Sequence, residues 1–329
     1  MTATETANGI CVSCGGTSLQ TERRYRTKTS HGKAIFRDSW LRQCNRCGLV
    51  QAIPSPTLGE LADYYAVDYR KNCCAGADVA DISKFPHDNF YYLNRGQSIA
   101  ELVCQHLTSA PERILDIGAG YGHILYALGQ RFPSAKREAI ELSQICVQYL
   151  RASGIIVHAK PAEEALPEME GYVDLIVISH VFEHLLNPHE MLRLIRQRLA
   201  PGGLLYIEVP HIPPGAENRY IDNIWAPRYD EPHITFFSQK PLTTLLEAAG
   251  FDVLFCDTAG QTYKRISALQ FHLPHWRWFL QKLIPPRVFH FLRRQRFTTA
   301  LKVKEREESF YQYGGFRIWL RSLSRKPVS

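Results

Sequence analysis

The feature that most constrains this chain is the stretch Arg113 to Gly122, RILDIGAGYG. Three apolar residues, Ile114, Leu115 and Ile117, surround a single acid, Asp116, and glycines follow at 118, 120 and 122. An apolar strand ending in glycines lets the backbone turn sharply and lets a ligand approach the main chain. The next ten residues, HILYALGQRF, have helical spacing. Strand, glycine loop and helix in that order open a nucleotide-binding α/β domain, although glycines also serve as plain tight turns.

The segments that follow extend the pattern. REAIEL, IIVHA, VDLIVIS and LLYIEVP read as strands, separated by the helical segments SQICVQYLRAS and PHEMLRLIRQRL. Pro201-Gly202-Gly203 reads as the turn into LLYIEVP, and LTTLLEAAG with FDVLFCD adds a further helix and strand. Apolar strands alternating with helices imply a parallel sheet covered on both faces. The expected fold is therefore α/β: a Rossmann-like, seven-stranded, mostly parallel sheet over 109–262. A helix in 94–108, NRGQSIAELVCQHLT, precedes the first strand.

Glu141 stands 19 residues past Gly122, where an acid can accept hydrogen bonds from two ribose hydroxyls. That placement suits NAD and S-adenosylmethionine equally. The glycine spacing separates them. Asp116-x-Gly118-x-Gly120-x-Gly122 is not GxGxxG, and with the later LAPGGLLYIEVP it resembles the class I S-adenosylmethionine-dependent methyltransferases. The resemblance implies a cofactor site made by Asp116, Gly118, Ala119, Gly120 and Gly122, with Glu141 and Leu142 after the second strand. Asp116 would lie near the methionine part of the ligand. The family often carries an acid just after the third strand, facing the adenine; here that position is Pro161, and Ala162 or Glu163 would substitute. Ser179 and His180, ending the fourth strand, would face the sulfonium or the acceptor. Glu183 and His184 either hold each other, cap the next helix or take part in catalysis.

The N-terminal part carries Cys11-Val-Ser-Cys14-Gly-Gly and Cys44-Asn-Arg-Cys47-Gly. Two CxxC knuckles, each followed by glycine, can set four thiolates tetrahedrally around one metal, with zinc ahead of iron. Four cysteines saturate such a site, so it is structural, and 1–55 reads as a zinc-ribbon-like module. A Tyr-rich linker and helix occupy 56–108. The other cysteines, 73, 74, 104, 146 and 256, do not form a disulfide framework and read as small apolar side chains.

Between Pro210 and Ser238 lies an insertion rich in Pro, Tyr, Trp, Asn and His, which reads as an acceptor-site lid. His233 is either a general base or a core residue that fixes the loop. Glu231 could orient its ring and Tyr229 could donate to an acceptor oxygen. The two knuckles, the Tyr-rich linker and HITFFS together look like the zinc-containing C-methyltransferases that act on nucleotide-linked keto sugars. That resemblance covers about 11–255 and implies that His233, with Glu231 and Tyr229, assists proton removal from the carbon beside the ketone; His180 is the reserve. The family's second α/β domain is not expected here, because the residues after about 255 do not alternate strand and helix in that way.

Net charge is +7, but 264–329 holds 15 Lys and Arg against 3 acids, leaving the remainder net acidic. The acidic core argues against nucleic acid as a partner. The basic, Trp-containing segment 263–329 suits helices packed on the core with solvated arginines, a peripheral membrane contact, or a grip on an anionic acceptor or RNA backbone. No apolar run is long enough to span a membrane and the N-terminus lacks a secretory pattern, so a cytoplasmic protein is expected, with membrane association through the tail as the alternative. The sequence-level function is methylation of a small-molecule acceptor, nucleotide-linked in one branch, at carbon, oxygen or nitrogen. An RNA methyltransferase, an NAD-linked oxidoreductase and a non-catalytic zinc-containing binding protein are the alternatives. Oligomeric state is not encoded in any of these motifs.

Overall fold

The computed structural model describes residues 9–25, 35–67, 90–211, 233–260 and 318–328. Its larger sheet is built from β4 (Arg113–Ile117), β5 (Lys136–Ile140), β6 (Ile156–His158), β7 (Val173–Ser179), β8 (Leu199–Pro210), β10 (Asp252–Gly260) and β11 (Ile318–Arg325). These seven strands lie in the order β10-β11-β8-β7-β4-β5-β6. The pairs β4–β5, β4–β7, β5–β6 and β7–β8 are parallel, and β11 runs antiparallel to β8. The expected α/β architecture is present, with the reversal of strand order at β4 and β7 placing a crevice beyond their carboxyl ends.

Helices cover both faces because successive side chains of a strand point to opposite sides. Ile114, Leu175, Val177, Leu204 and Tyr206 pack with the buried residues of α2 (Phe90–Cys104), α3 (His123–Arg131) and α4 (Gln144–Ala152). Leu115, Ile117, Ile176, Ile178, Leu205 and Ile207 pack with α5 (Ala162–Glu168), α6 (Pro188–Arg198) and α7 (Gln239–Ala248). The central strands β4, β7 and β8 are thus apolar on both faces, which is why those segments read as near-continuous hydrophobic runs.

The structure corrects the domain boundaries at two places. The end of the basic tail is not an extension: β11 is inserted in the sheet, with Leu323 opposite Tyr206 and Leu320 opposite Val209. Leu320 and Leu323 are buried, whereas Arg321 and Arg325 interrupt the apolar pattern and gave the strand the look of an interfacial segment. The same pairing explains Pro201-Gly202-Gly203, which lies within β8 instead of forming a free turn. Gly202 N–H donates to Lys326 O at 2.9 Å, and Lys326 N–H to Gly203 O at 3.0 Å. Residues 261–317, with Trp276 and Trp278 of the proposed membrane contact, lie outside the described residues. Among the described residues no helix is long and apolar enough to cross a membrane.

The second correction concerns the cysteine module. Its sheet has the order β1-β2-β3-β9, from β1 (Leu19–Arg24), β2 (Trp40–Cys44), β3 (Val50–Ile53) and β9 (Thr235–Phe236). The last strand comes from the HITFFS segment: Val50 pairs with Phe236 and Gln51 with Thr235. The module is therefore not confined to 1–55 but completed by a segment from after β8. Helix α1 (Leu58–Val67) follows, opened by Thr57 and Glu60, whose side chain and backbone exchange hydrogen bonds as a capping box. Tyr25, Phe36, Leu41, Val50, Tyr64 and Phe236 form the module's own small core.

Candidate functional site

The glycine loop has the geometry its sequence demanded. Gly118 has φ of 74°, and a Cβ built on it would lie 2.3 Å from Val181 Cγ2, so no side chain fits there. Gly120 has φ of 55° and open space where a Cβ would stand. It is thus the point at which a ligand can approach the main chain. Gly122 caps α3, and Ala119 is buried beneath the loop.

Glu141 holds this loop. One carboxylate oxygen accepts from Gly120 N–H at 2.8 Å, the other from Ser143 N–H at 2.7 Å. A carboxylate offers about four lone-pair directions, so acceptor capacity remains for two ribose hydroxyls. Leu142, beside it, is 53% exposed, an apolar surface at the crevice. Ala162 and Glu163 start α5 just past β6; Ala162 is buried and Glu163 exposed.

Asp116 is buried beneath the loop, and its Oδ2 has no hydrogen-bond partner among the described residues. Burial pushes its carboxyl up to about 8, against the pull of Arg95. A buried carboxyl with an unused oxygen suits a cationic ligand group, which would favour the ionised form.

The carboxyl ends of β7 and β8 hold a buried polar network that motif reading missed. Arg95 Nε donates to Glu208 Oε1 at 2.7 Å, and Arg95 Nη2 contacts both that oxygen and Ser179 Oγ. Tyr206 donates its hydroxyl to Glu208 Oε2 at 2.8 Å. Arg95 Nη1 donates to His123 Nε2 at 3.3 Å; burial first, then Arg95, lowers that imidazole to about 3, so it is neutral and accepts. A signal for Arg95 did exist. It lies four and eight residues before Ile99 and Val103, on the buried stripe of α2.

His180 directly follows β7 with φ of 56°, a left-handed backbone that costs a non-glycine residue about 1 kcal/mol. Its amide donates to Glu208 O at 2.9 Å, which holds the strained residue in register. The ring lies between two buried carboxylates, with Nδ1 3.4 Å from Glu183 Oε1 and Nε2 3.5 Å from Glu208 Oε1. Its side chain is 25% exposed, so it is open to the crevice.

His233 stands nearby but differently. It is buried, its ring 4.7 Å from that of His184, and its carbonyl accepts from Tyr25 hydroxyl at 2.9 Å. Glu183 O accepts from Ile234 N–H at 2.9 Å. The cysteine module thus fixes His233 against the short turn Phe182–His184. Glu231 and Tyr229, the expected helpers of His233, lie outside the described residues.

The four module cysteines converge. Cys11 and Cys47 sulfurs are 3.5 Å apart, Cys14 and Cys44 sulfurs 3.6 Å. Four thiolates around one zinc, at about 2.3 Å each, would stand roughly 3.8 Å apart, so the donor set fits such an ion. The knuckles repeat one turn: Gly15 N–H donates to Cys11 O at 2.9 Å, and Gly48 N–H to Cys44 O at 2.8 Å. The hydrogen bond between Cys11 and Cys47 lowers the Cys47 thiol and raises that of Cys11. Cys11, Cys44 and Cys47 belong to the same buried cluster as the sheet's α5–α7 face.

Comparison with known proteins agrees with this geometry. A family model described as a methyltransferase domain matches residues 87–254. Trans-aconitate 2-methyltransferase of Rhodococcus jostii is 26% identical over 117 residues, 36% of this chain and 45% of its own. C-methyltransferase NovU of Streptomyces niveus is 31% identical over 96 residues, 29% of this chain and 22% of its own. Demethylmenaquinone methyltransferase of Thermus thermophilus is 32% identical over 172 residues, 45% of this chain and 78% of its own. The chain spans less than half the length of the first two of these relatives. The family model covers half of the chain, over the glycine loop, Glu141 and β4 to β8, and on that match the chain belongs to the methyltransferase-domain family.

Proposed function

We propose that this protein transfers a methyl group from S-adenosylmethionine to a small-molecule acceptor. The observation that carries the reading is the loop Gly118–Gly122 clamped by Glu141 above the buried Asp116. Glu141 would hold the ribose and Leu142 the adenine, with Ala162 and Glu163 at its edge. The main chain at Gly120 gives the approach, and Asp116 the charge that a methionine ammonium needs. When bound, the cofactor supplies a methyl group on a good leaving group. The protein then has mainly to align an acceptor and exclude water.

Ser179 and His180 face the crevice, and Arg95 with Glu208 fixes both. His180, exposed to the crevice and flanked by two carboxylates, is the group best placed to take a proton from a carbon or hydroxyl acceptor. The burial of His233 favours a holding role for it, with Glu231 and Tyr229 remaining proposed partners on the same segment. Cys11, Cys14, Cys44 and Cys47 would bind structural zinc, which supplies a crosslink and no open coordination position. The acceptor class we favour is a nucleotide-linked keto sugar methylated at carbon, on the combined knuckles and HITFFS segment.

Calorimetry with S-adenosylmethionine and S-adenosylhomocysteine, NAD as control, tests the cofactor. Micromolar binding of the sulfur ligands is expected, weakened by about tenfold or more, or 1.4 kcal/mol, in Glu141→Gln. No binding of either ligand to folded, metal-loaded protein would sink the reading. An acceptor screen starting with nucleotide-linked keto sugars then tests the substrate class.

Binding should also depend on pH through Asp116. The free protein holds this carboxyl near 8, and a ligand cation beside it lowers that value. The ligand therefore prefers the ionised form, and binding expels a proton below pH 8. Affinity should rise with pH toward 8, by at most about tenfold per unit, and level off above it. Titrations in two buffers of different ionisation heat would detect the proton. The same slope in Asp116→Asn would assign the effect elsewhere.

A further inference from the structure

We infer that Glu183, His184 and His233 form a second metal centre, distinct from the cysteine site, for a divalent transition metal on the acceptor side of the crevice. A carboxylate oxygen and two imidazole nitrogens, one from each residue, lie within 4.8 Å of one another. His184 Nε2 is 3.8 Å from Glu183 Oε1, and the two imidazole rings meet edge to face at 68°. Donors bound at about 2.1 Å in tetrahedral or octahedral geometry stand roughly 3.0–3.4 Å apart, so side-chain rotations that close at most about 1.4–1.8 Å would complete the site.

The donors are held from two directions. Glu183 and His184 belong to the turn Phe182–His184, which follows β7 directly. His233 precedes β9 and comes from the module side. The two are joined by Ile234 N–H and Thr235 Oγ1, both donating to Glu183 O, at 2.9 and 3.3 Å. Beneath them Phe182 packs on Phe237, with ring centroids 5.7 Å apart. His180 Nδ1, 3.4 Å from Glu183 Oε1, orients the carboxylate from outside the donor set. Rings and carboxylates held by such outer partners are what metal sites need.

Two histidines and one carboxylate leave coordination positions open, unlike four cysteines. The donor set suits zinc or ferrous iron better than calcium or magnesium, which prefer all-oxygen ligands. Beside His180, the open positions would take an acceptor oxygen. That use rests on the methyltransferase reading; the binding of the metal does not.

Metal content of the full chain tests the proposal. Zinc-loaded, dialysed wild type should carry two equivalents by elemental analysis. His184→Ala and Glu183→Gln should carry one. In cobalt titrations the thiolate charge-transfer band should be identical in all three proteins, which reports an intact cysteine site and fold. Only the weak visible bands of a nitrogen and oxygen site should vanish in the variants. If either variant fails to fold, His233→Asn replaces it. Saturation of the wild type at one equivalent overturns the proposal, as does a second equivalent that survives the substitutions. Binding of S-adenosylhomocysteine separates the two readings. A chain that binds it but takes one metal loses only this centre; a chain that takes two metals but no sulfur ligand loses only the methyltransferase assignment.

Discussion

Cys44→Ser is expected to abolish the metal binding proposed for the N-terminal site and to unfold the module around it. Metal binding by small cysteine sites supplies on the order of 10 kcal/mol or more of folding free energy near neutral pH. The module's own core is small, centred on Tyr25, Phe36, Leu41 and Tyr64, and offers little to replace it. The consequence reaches the crevice. β9 pairs with Val50 and Gln51 of β3, and Tyr25 holds the His233 carbonyl. When β3 loosens, His233 loses its position against His184. Ser13, which donates to Pro241 O at 2.7 Å, loses its grip on α7 as well. The glycine loop and Glu141 belong to β4, β5 and α3; β4 and β5 share a buried cluster with Cys11, Cys44 and Cys47, but their backbone pairing is with each other and with β7 and β6, not with the module. Acceptor turnover should therefore fall to near zero while S-adenosylhomocysteine affinity changes little. Metal analysis, limited proteolysis and calorimetry on one preparation would read this directly. Parallel loss of sulfur-ligand binding would mean that the module is needed to fold the core itself.

Arg95→Met should destabilise the core by about 3–5 kcal/mol, because it leaves Glu208 as a buried charge without its cation. The ion pair is 10% exposed at the arginine and 2% at the glutamate, so water cannot take over. Tyr206 and Ser179 still donate to the carboxylate, but neither supplies charge. Urea denaturation measures the loss. The double substitution Arg95→Met with Glu208→Gln should recover part of it, since the stranded charge goes with its partner. A loss below about 1 kcal/mol for Arg95→Met would show that the pair behaves as a solvated one. Cofactor binding should weaken in the same variant, because Arg95 also orders Ser179 and His123 at the mouth of the crevice.

The glycine loop, Glu141, the two knuckles and the core strands were legible because their signals are local. Three glycines after an apolar strand, or two cysteines three residues apart, carry their meaning within a few residues. Arg95 was half legible. Its place on the Ile99 and Val103 stripe marks it as buried, but nothing in the sequence names Glu208, 113 residues away, as its partner. The strand at 318–325 was hidden for a related reason. Its serines and arginines obscure the apolar alternation, and it becomes a strand by pairing with β8, more than a hundred residues earlier.

The sequence by itself determined the parallel α/β core, the glycine loop and the four-cysteine cluster, since hydrophobic period and turn chemistry act over one element at a time. Tertiary structure alone decided that the tail returns to complete the sheet and that HITFFS joins the cysteine module. It also gathered Glu183, His184 and His233 into one cluster. Those outcomes depend on strand pairing and buried charge, and both are settled only when distant segments compete for the same hydrogen bonds and the same dry space.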